Sequence, residues 1–248
     1  MKEAAPRGIR VPCVACPLRA LHTFRDFTPD ELAFVQEFKR SELRVQRGDT
    51  VLAEGEASAH FYTVLSGWGF RYKMLEDGRR QIVNYVMPGD LIGLQGTLMG
   101  EMQHSVEALS AMTLCVFERE RLFRLYEQHP SLAYDVTWIA SREECMLDEN
   151  LLAVGRRSAS ESAAYLIALL THRAETTRLS TGGRLALTQQ HVADTLGLSL
   201  VHTNRTLRGL VAMGLIDWSE GGFVVLARDR LISLARWKGA DRGPRPFI

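Results

Sequence analysis

The chain of 248 residues has no uninterrupted apolar run approaching the roughly 18–20 residues of a membrane-spanning helix, so no bilayer span is expected. Its opening stretch, MKEAAPRGIRVP, lacks the apolar core of a secretory signal, and the expected compartment is the cytoplasm. Cysteine is scarce, with four in all. In a reducing compartment such cysteines are free thiols or ligands rather than structural disulfides. A surplus of one charge is also missing, with 30 basic against 29 acidic side chains. There is no Gly-rich phosphate loop, no nucleophile beside a base and no paired-acid motif, so an enzyme is not the expected class. Length and an ordinary balance of apolar (46%) and charged (24%) residues point to one large globular domain or two modest ones.

The charge that is present is unevenly spread. From Arg157 onward there are 12 Lys and Arg against 7 Asp and Glu, whereas the remainder holds 18 against 22. A basic final third on an acidic body suits a polyanionic partner. From about Leu43 to Phe117 short apolar stretches alternate with turn signals such as GDT, SGWG and PGD, the pattern of a sandwich or barrel. Asp77-Gly78 reads as a hairpin turn. ERERLFRLYEQHP then predicts a short helix stopped at Pro130, followed by a helix without Gly or Pro from Ser131 to Val154. Leu132, Val136, Ile139, Glu143, Met146, Asn150 and Ala153 alternate at spacings of four and three, which predicts a partner-facing seam with two polar interruptions. The alternative is a helix packed only on its own domain.

SASESAAYLIALLTHRAETT predicts a further helix capped by Ser158 or Ser160. Beyond it, Thr188 reads as an N-cap, Val192, Ala193 and Leu196 as one apolar face, and Gly197 as a left-handed stop. Ser199 opens a second helix that buries Thr203, Leu207, Leu210 and Val211, with Gly214 as its stop. LIDWSEGGFVVL reads as a two-stranded wing turning at Glu220-Gly221-Gly222. Two short helices joined through a Gly-containing turn make a helix-turn-helix, whose second helix enters the DNA major groove. Its outward residues are Leu200, Val201, His202, Asn204, Arg205 and Arg208. Arg205 suits guanine O6 and N7, Asn204 or His202 an adenine or a phosphate, and Val201 a thymine methyl. Thr188, Gln189, Gln190 and Ser199 stand at helix starts and suit phosphate oxygens. A generic helical hairpin with a solvated polar face is the competing reading.

At this point the chain resembles the Crp/Fnr family of bacterial transcription regulators, in its Fnr/FixK-like branch. GDTVLAEGEASAHFYTVLSGWGFRYKMLEDGRRQIVNYVMPGDLIGLQG is similar to the family's β-roll, and LTQQHVADTLGLSLVHTNRTLRGLVAMGLI to its winged helix-turn-helix. The resemblance implies an α+β fold: a cyclic-nucleotide-binding-like β-roll (jelly roll), a long dimerisation helix and a C-terminal winged helix-turn-helix. The expected domains are an N-terminal arm over 1–27, a sensor roll over 28–130, the dimerisation helix over 131–156 and the DNA-binding domain over 157–248. It further implies a homodimer on palindromic double-stranded DNA, with RNA polymerase as a partner and no membrane.

Two positions depart from members that bind cyclic AMP. Leu94 stands where a Glu would take the ribose, and His104 stands where an Arg would hold the phosphate. Leucine accepts no hydrogen bond, and a neutral histidine replaces a bidentate guanidinium poorly, which argues against cyclic AMP as effector. Val201 stands where many Fnr-like members carry Glu, so base preference should differ at that pair.

The same resemblance gives the cysteines a candidate role, since Fnr-like oxygen sensors hold an iron–sulfur cluster through an N-terminal cysteine group and one roll cysteine. Cys13 and Cys16 match a CxxC pair and Cys115 the roll cysteine, while His22 stands where a further cysteine is expected. Histidine replaces cysteine in some clusters, and three sulfurs with one nitrogen also suit structural zinc. Against a metal, Cys115 fits a buried strand position, His22 a capping or packing one, and Cys145 a seam or surface one. The leading expectation is a dimeric DNA-binding regulator with a roll sensor, possible redox control included. One alternative is a regulator active without effector or metal, and another is a metal or thiol module that binds no DNA.

Overall fold

The computed structural model describes residues 11–179, 183–219, 221–239 and 243–248. Residues 1–10, most of the expected arm's beginning, and Glu220 of the expected wing turn lie outside the described residues. The chain divides into two compact units. The first comprises Met1–Arg71, Tyr85–Glu143 and Gly243–Ile248, and the second Tyr72–Asn84 and Glu144–Arg242.

In the first unit, α1 (Pro29–Phe38) starts at a full capping box: the Thr28 side chain accepts from the Glu31 N–H, and the Glu31 carboxylate accepts from the Thr28 N–H. Pro29 stands at the first helical position, where no N–H is needed. The strands are β1 (Lys39–Val45), β2 (Thr50–Leu52), β3 (His60–Ser66), β4 (Gly69–Met74), β5 (Arg80–Val86), β6 (Leu91–Ile92), β7 (Ser105–Ala108) and β8 (Met112–Glu118), with the short helix α2 (Leu94–Met99) after β6. They form two four-stranded sheets of order β1-β8-β3-β6 and β2-β7-β4-β5. Period-2 alternation divides the side chains of the first sheet. Tyr62, Val64, Met112, Leu114 and Val116 join Val86, Val106 and Ala108 in the core between the sheets. Phe61, Leu65, Cys115 and Phe117 face the other way, toward α1, the arm and the helices that follow. Two of these, Phe61 and Phe117, cluster with Phe38 at centroid distances of 5.3–6.0 Å.

Helix α3 (Leu122–Gln128) stops before Pro130, and α4 (Pro130–Arg156) begins on that proline. The seam expected on α4 faces its own chain. Leu132 and Val136 are buried in the first unit's core and Ile139 packs against it. Both polar interruptions have intrachain partners: Glu143 pairs with Arg71 at 3.0 Å, and the Asn150 amide donates to the Val83 carbonyl at 2.9 Å. Ala153, the seam's last residue, is buried as well. The adjacent face of α4, through Ala140, Leu147, Leu151 and Val154, is exposed, with Leu151 at 73%.

Residues 243–248 form a strap across the first unit. Arg245 joins Phe24 in a parallel bridge, with Arg25 N–H donating to Arg245 O at 2.9 Å and Arg245 N–H to Thr23 O at 2.8 Å. The buried Arg245 guanidinium donates to Pro88 O at 3.0 Å, pairs with Asp90 at 3.2 Å and lies over the Phe24 ring. Phe247 packs against Phe24 and Phe27, with ring centroids 5.0 and 4.9 Å away.

The second unit is built on α5 (Ala159–Thr176), whose Ser158 supplies the cap through a box with Glu161. Around it lie α6 (Gln189–Leu196), α7 (Leu200–Ala212), the wing β9 (Ile216–Ser219) and β10 (Gly222–Val225), and α8 (Arg228–Ala235). Phe223 in the wing bridges Leu185 and is fully buried. Gly222 is needed there: its φ is 139° and a Cβ would fall 1.8 Å from the Leu185 carbonyl oxygen.

Candidate nucleic-acid interface and sensor cavities

Helix α6 begins at Thr188, whose hydroxyl accepts from the His191 N–H at 3.2 Å. It ends at Gly197, in the left-handed region at φ 66°, where a side chain would be strained. Two residues later the Ser199 hydroxyl accepts from the His202 N–H and caps α7. The turn is therefore written in three local residue types. Thr203, Thr206, Leu207 and Leu210 are buried on the inner face of α7 against Val192, Ala193 and Leu196 of α6. Val211, expected in that buried set, is instead 40% exposed, in the helix's last turn at the margin of the packed face.

The outer face carries the residues singled out for base contact. Val201 is 83% exposed, Leu200, Arg205 and Arg208 are exposed, and His202 and Asn204 are half-buried. Asn204 donates from Nδ2 to Gln189 Oε1 at 3.0 Å, tying the start of α6 to α7. Gln190 is exposed and donates to Asp194 at 2.6 Å. Thr188 and Ser199 spend their hydroxyl oxygens on caps, which leaves the first backbone N–H groups of both helices oriented outward. Among the described residues no ion pair ties down Arg205 or Arg208, so both guanidinium groups are open to an anion. Asp194 also pairs with Arg80 at 2.8 Å, which holds the Tyr72–Asn84 hairpin on α6.

Two cavities among the described residues of the first unit involve expected site residues. One, of about 130 Å³, is lined by Arg71, Leu91, Leu94, His104, Ile139 and Glu143, among others. The second is much smaller, about 20 Å³, with room for about one water. Its walls bring together Cys13, Cys16 and Cys115 with Lys39, under Phe247 and Ile248 of the strap. The Lys39 ammonium donates to Glu42 at 2.6 Å and to the Val11 carbonyl at 2.9 Å. Burial pushes the Cys115 thiol up to about 12, with nearby Lys39 opposing. Burial likewise raises Cys16, against backbone N–H groups of Leu18 and Arg19. His22 is exposed and is not part of this wall. Cys145 is exposed on α4.

Comparison with known proteins matches residues 42–129 to the cyclic nucleotide-binding domain and residues 163–234 to the Crp-like helix-turn-helix domain. The nitrogen fixation regulation protein FixK of Bradyrhizobium diazoefficiens is 33% identical over 226 residues, covering 90% of this chain and 93% of that protein. The transcriptional activatory protein AadR of Rhodopseudomonas palustris is 30% identical, covering 89% and 91%. The solved structure of FixK2 from Bradyrhizobium japonicum is similar with a TM-score of 0.68 at 26% identity, over 82% of this chain and 98% of that one. The chain belongs to the Crp/Fnr family.

It is accordingly a DNA-binding transcription regulator and not an enzyme, built as a roll, a long helix and a helix-turn-helix domain. No helix among the described residues is long and apolar enough to cross a membrane. Two groups associated with the family fit this chain poorly. In the larger cavity Leu94 and His104 are among the lining residues, and the Glu143 carboxylate already pairs with Arg71. A cyclic nucleotide therefore does not fit. An iron–sulfur cluster does not fit either. Of the expected set of Cys13, Cys16, His22 and Cys115, the three cysteines line one cavity, and the exposed His22 is not part of its wall. The shared cavity is close to one water in size, and the Lys39 side chain lines it together with the three cysteines. Among the described residues no group of three His, Cys, Asp or Glu side chains is arranged to hold a metal ion, zinc included.

Proposed function

We propose that the protein acts as a homodimer on palindromic operators, with Val201, His202, Asn204, Arg205 and Arg208 of α7 in the major groove. Thr188, Gln189, Gln190 and Ser199 lie at phosphates through the helix starts they cap or occupy. The observation that carries this reading is the division of α7: one side is sealed into α5, α6 and the wing, and the other presents Arg205 and Arg208, exposed and without an ion pair among the described residues. Arg205 takes a guanine edge as a bidentate pair, and Arg208 adds a phosphate contact.

The exposed face of α4 supports self-association. Ala140, Leu147, Leu151 and Val154 recur at spacings of seven, four and three, the pattern of a helix-pairing stripe. Two copies related by a twofold axis would present two α7 helices to half-sites about 34 Å apart. The first unit is the controlling part. RNA polymerase is the further partner, in keeping with a relative that carries the name of an activator. Control through an oxygen-labile cluster is not adopted, for the reasons of fit given above. A regulator whose roll needs no diffusible effector is the second reading, favoured by the ion pair that engages Arg71 in its larger cavity.

The test is selection of a duplex from a random pool, followed by binding of wild type and Arg205→Ala. The variant should lose about 1–3 kcal/mol at one base pair per half-site and relax preference there. Unchanged affinity and specificity would remove α7 from the groove. Leu151→Asp should give a monomer by analytical ultracentrifugation, with loss of cooperative operator binding; a dimer of wild-type strength would move the interface elsewhere.

A further inference from the structure

Residues 243–248 lie on the first unit in the manner of a bound peptide. Backbone pairing with the arm sets the register: Arg25 N–H donates to Arg245 O, and Arg245 N–H to Thr23 O. Adding an extended segment in this way is a recurring mode of peptide recognition, in which side-chain pockets supply specificity. Three residues are seated here. The Arg245 guanidinium, 5% exposed, donates to Pro88 O, meets Asp90 and lies against the Phe24 ring at 4.6 Å. Gly89 makes room for that seat: its φ is 84°, and a Cβ there would stand 2.2 Å from the Phe24 ring. Phe247 packs on Phe24 and Phe27. Ile248 is buried, and its backbone oxygen accepts from the Thr63 hydroxyl. Pro244 and Pro246 flank the arginine and fix two φ angles in advance, so less freedom is lost on docking. The chain passes between the two units four times. Three passages fall inside continuous elements, β4, β5 and α4. The fourth leads from the second unit into the strap, which is held by a backbone bridge and its seated side chains. It can let go without breaking a strand or a helix, and the other three cannot.

We propose that the arm and the roll form a peptide-docking groove whose ligand is the chain's own 243–248 segment, and that seating this segment favours DNA binding. The physical ground is preorganisation. A DNA-binding unit secured at one further point has less orientational freedom to lose when it engages a half-site. Linkage then runs both ways: DNA tightens the strap by the same factor as the strap tightens DNA. The ligand class is a short peptide in which an arginine is followed, at the second and third positions after it, by an aromatic and an aliphatic side chain. The effect on DNA rests on the proposed function; the groove itself does not.

The experiment uses the full chain as wild type, Phe247→Ala and Arg245→Glu, with the peptide GPRPFI, its counterpart GPEPFI and the selected duplex. In wild type, the duplex should slow hydrogen exchange at the Arg25 and Arg245 amides roughly tenfold, read by mass spectrometry. In Phe247→Ala that protection should disappear. Both variants should bind the duplex roughly tenfold more weakly than wild type, with unchanged base preference. Fluorescent GPRPFI should bind both variants saturably. Wild type should bind it about tenfold more weakly or worse, because its tethered segment competes at millimolar effective concentration. GPEPFI should bind none of them. Free GPRPFI should leave the variants' DNA affinity low, because it fills the groove without restoring the tether. If Phe247→Ala does not fold, Arg245→Glu and the wild-type exchange carry the test. No saturable binding of GPRPFI to either variant, or equal binding of the two peptides, would overturn the groove. Variants that hold DNA as tightly as wild type or more tightly, wild-type amides indifferent to the duplex, or DNA affinity restored by free peptide would each overturn the tether. A wild type that binds no duplex would sink the operator reading, and peptide binding would still decide the groove.

Discussion

Replacing Phe247 by alanine should unseat the strap and uncover the three-thiol cavity. The ring is 3% exposed and is held by Phe24 and Phe27 at 5.0 and 4.9 Å. Truncation of a buried Phe to Ala removes about 3–5 kcal/mol. Here the segment is six described residues long, so the loss should appear first as local opening rather than global unfolding. Taking the lower value of about 3 kcal/mol, and tenfold per 1.4 kcal/mol, the open population rises by about two orders of magnitude. Cys13 and Cys115, both 8% exposed beneath Phe247 and Ile248, should then alkylate about a hundredfold faster. Time-resolved iodoacetamide labelling read by peptide mass spectrometry separates the sites. The exposed Cys145 provides an internal rate standard that the substitution should not move. In wild type Cys145 should label first and Cys115 last, since Cys115 is both covered and held in the thiol form. If wild-type Cys115 labels as fast as Cys145, or Phe247→Ala changes its rate by less than about tenfold, the strap does not seal the cavity.

Acid should weaken the first unit through Glu31. Burial alone would raise this carboxyl, but Arg25 and the Thr28 N–H outweigh it and bring it down to about 2 from 4.5. A depressed carboxylate stabilises fully above its unfolded value, and that contribution, about 3 kcal/mol, disappears as the pH falls from 4.5 toward 2. Asp135, raised by burial despite Arg25, offsets part of it. Arg25→Gln should flatten the acid limb of a stability–pH profile measured by urea titration; an unaltered slope would show that Arg25 does not hold Glu31. Anaerobic isolation should yield no stoichiometric iron, sulfide or zinc, with elemental analysis and an absorption spectrum as the check. Metal lost together in Cys13→Ser and Cys115→Ser would show that the thiols rearrange to bind it.

Much of the fold was legible because its signals are local. Asp77-Gly78, Gly197 and Gly214 mark turns through backbone freedom, with φ of 85°, 66° and 67° at the three glycines. Thr188, Ser158 and Ser199 mark helix starts because a short side-chain oxygen satisfies an N–H two or three residues on. Helix α1 carried the same kind of mark in Thr28, Pro29 and Glu31 and could have been read from it.

Which face of α4 is covered was not local. Glu143 and Asn150 look like faults in a partner-facing seam until Arg71 and the Val83 carbonyl meet them, and those partners lie 72 and 67 residues away in sequence. The CxxC pair and Cys115 were legible as a set only by resemblance; sheet packing brought the sulfurs to one wall, and strand alternation put Cys115 on the arm's side of its sheet. The same packing left His22 outside and set Lys39 inside. Nothing in GPRPFI announces that it lies along Phe24 and closes that wall. The sequence by itself determined where elements start, stop and turn, and the residue types on the outer face of α7, because each depends on neighbours within a few positions. The tertiary structure decided which charges are paired, which thiols are buried and which apolar stripe stays open. Those outcomes depend on groups that only the folded chain brings within a few ångströms.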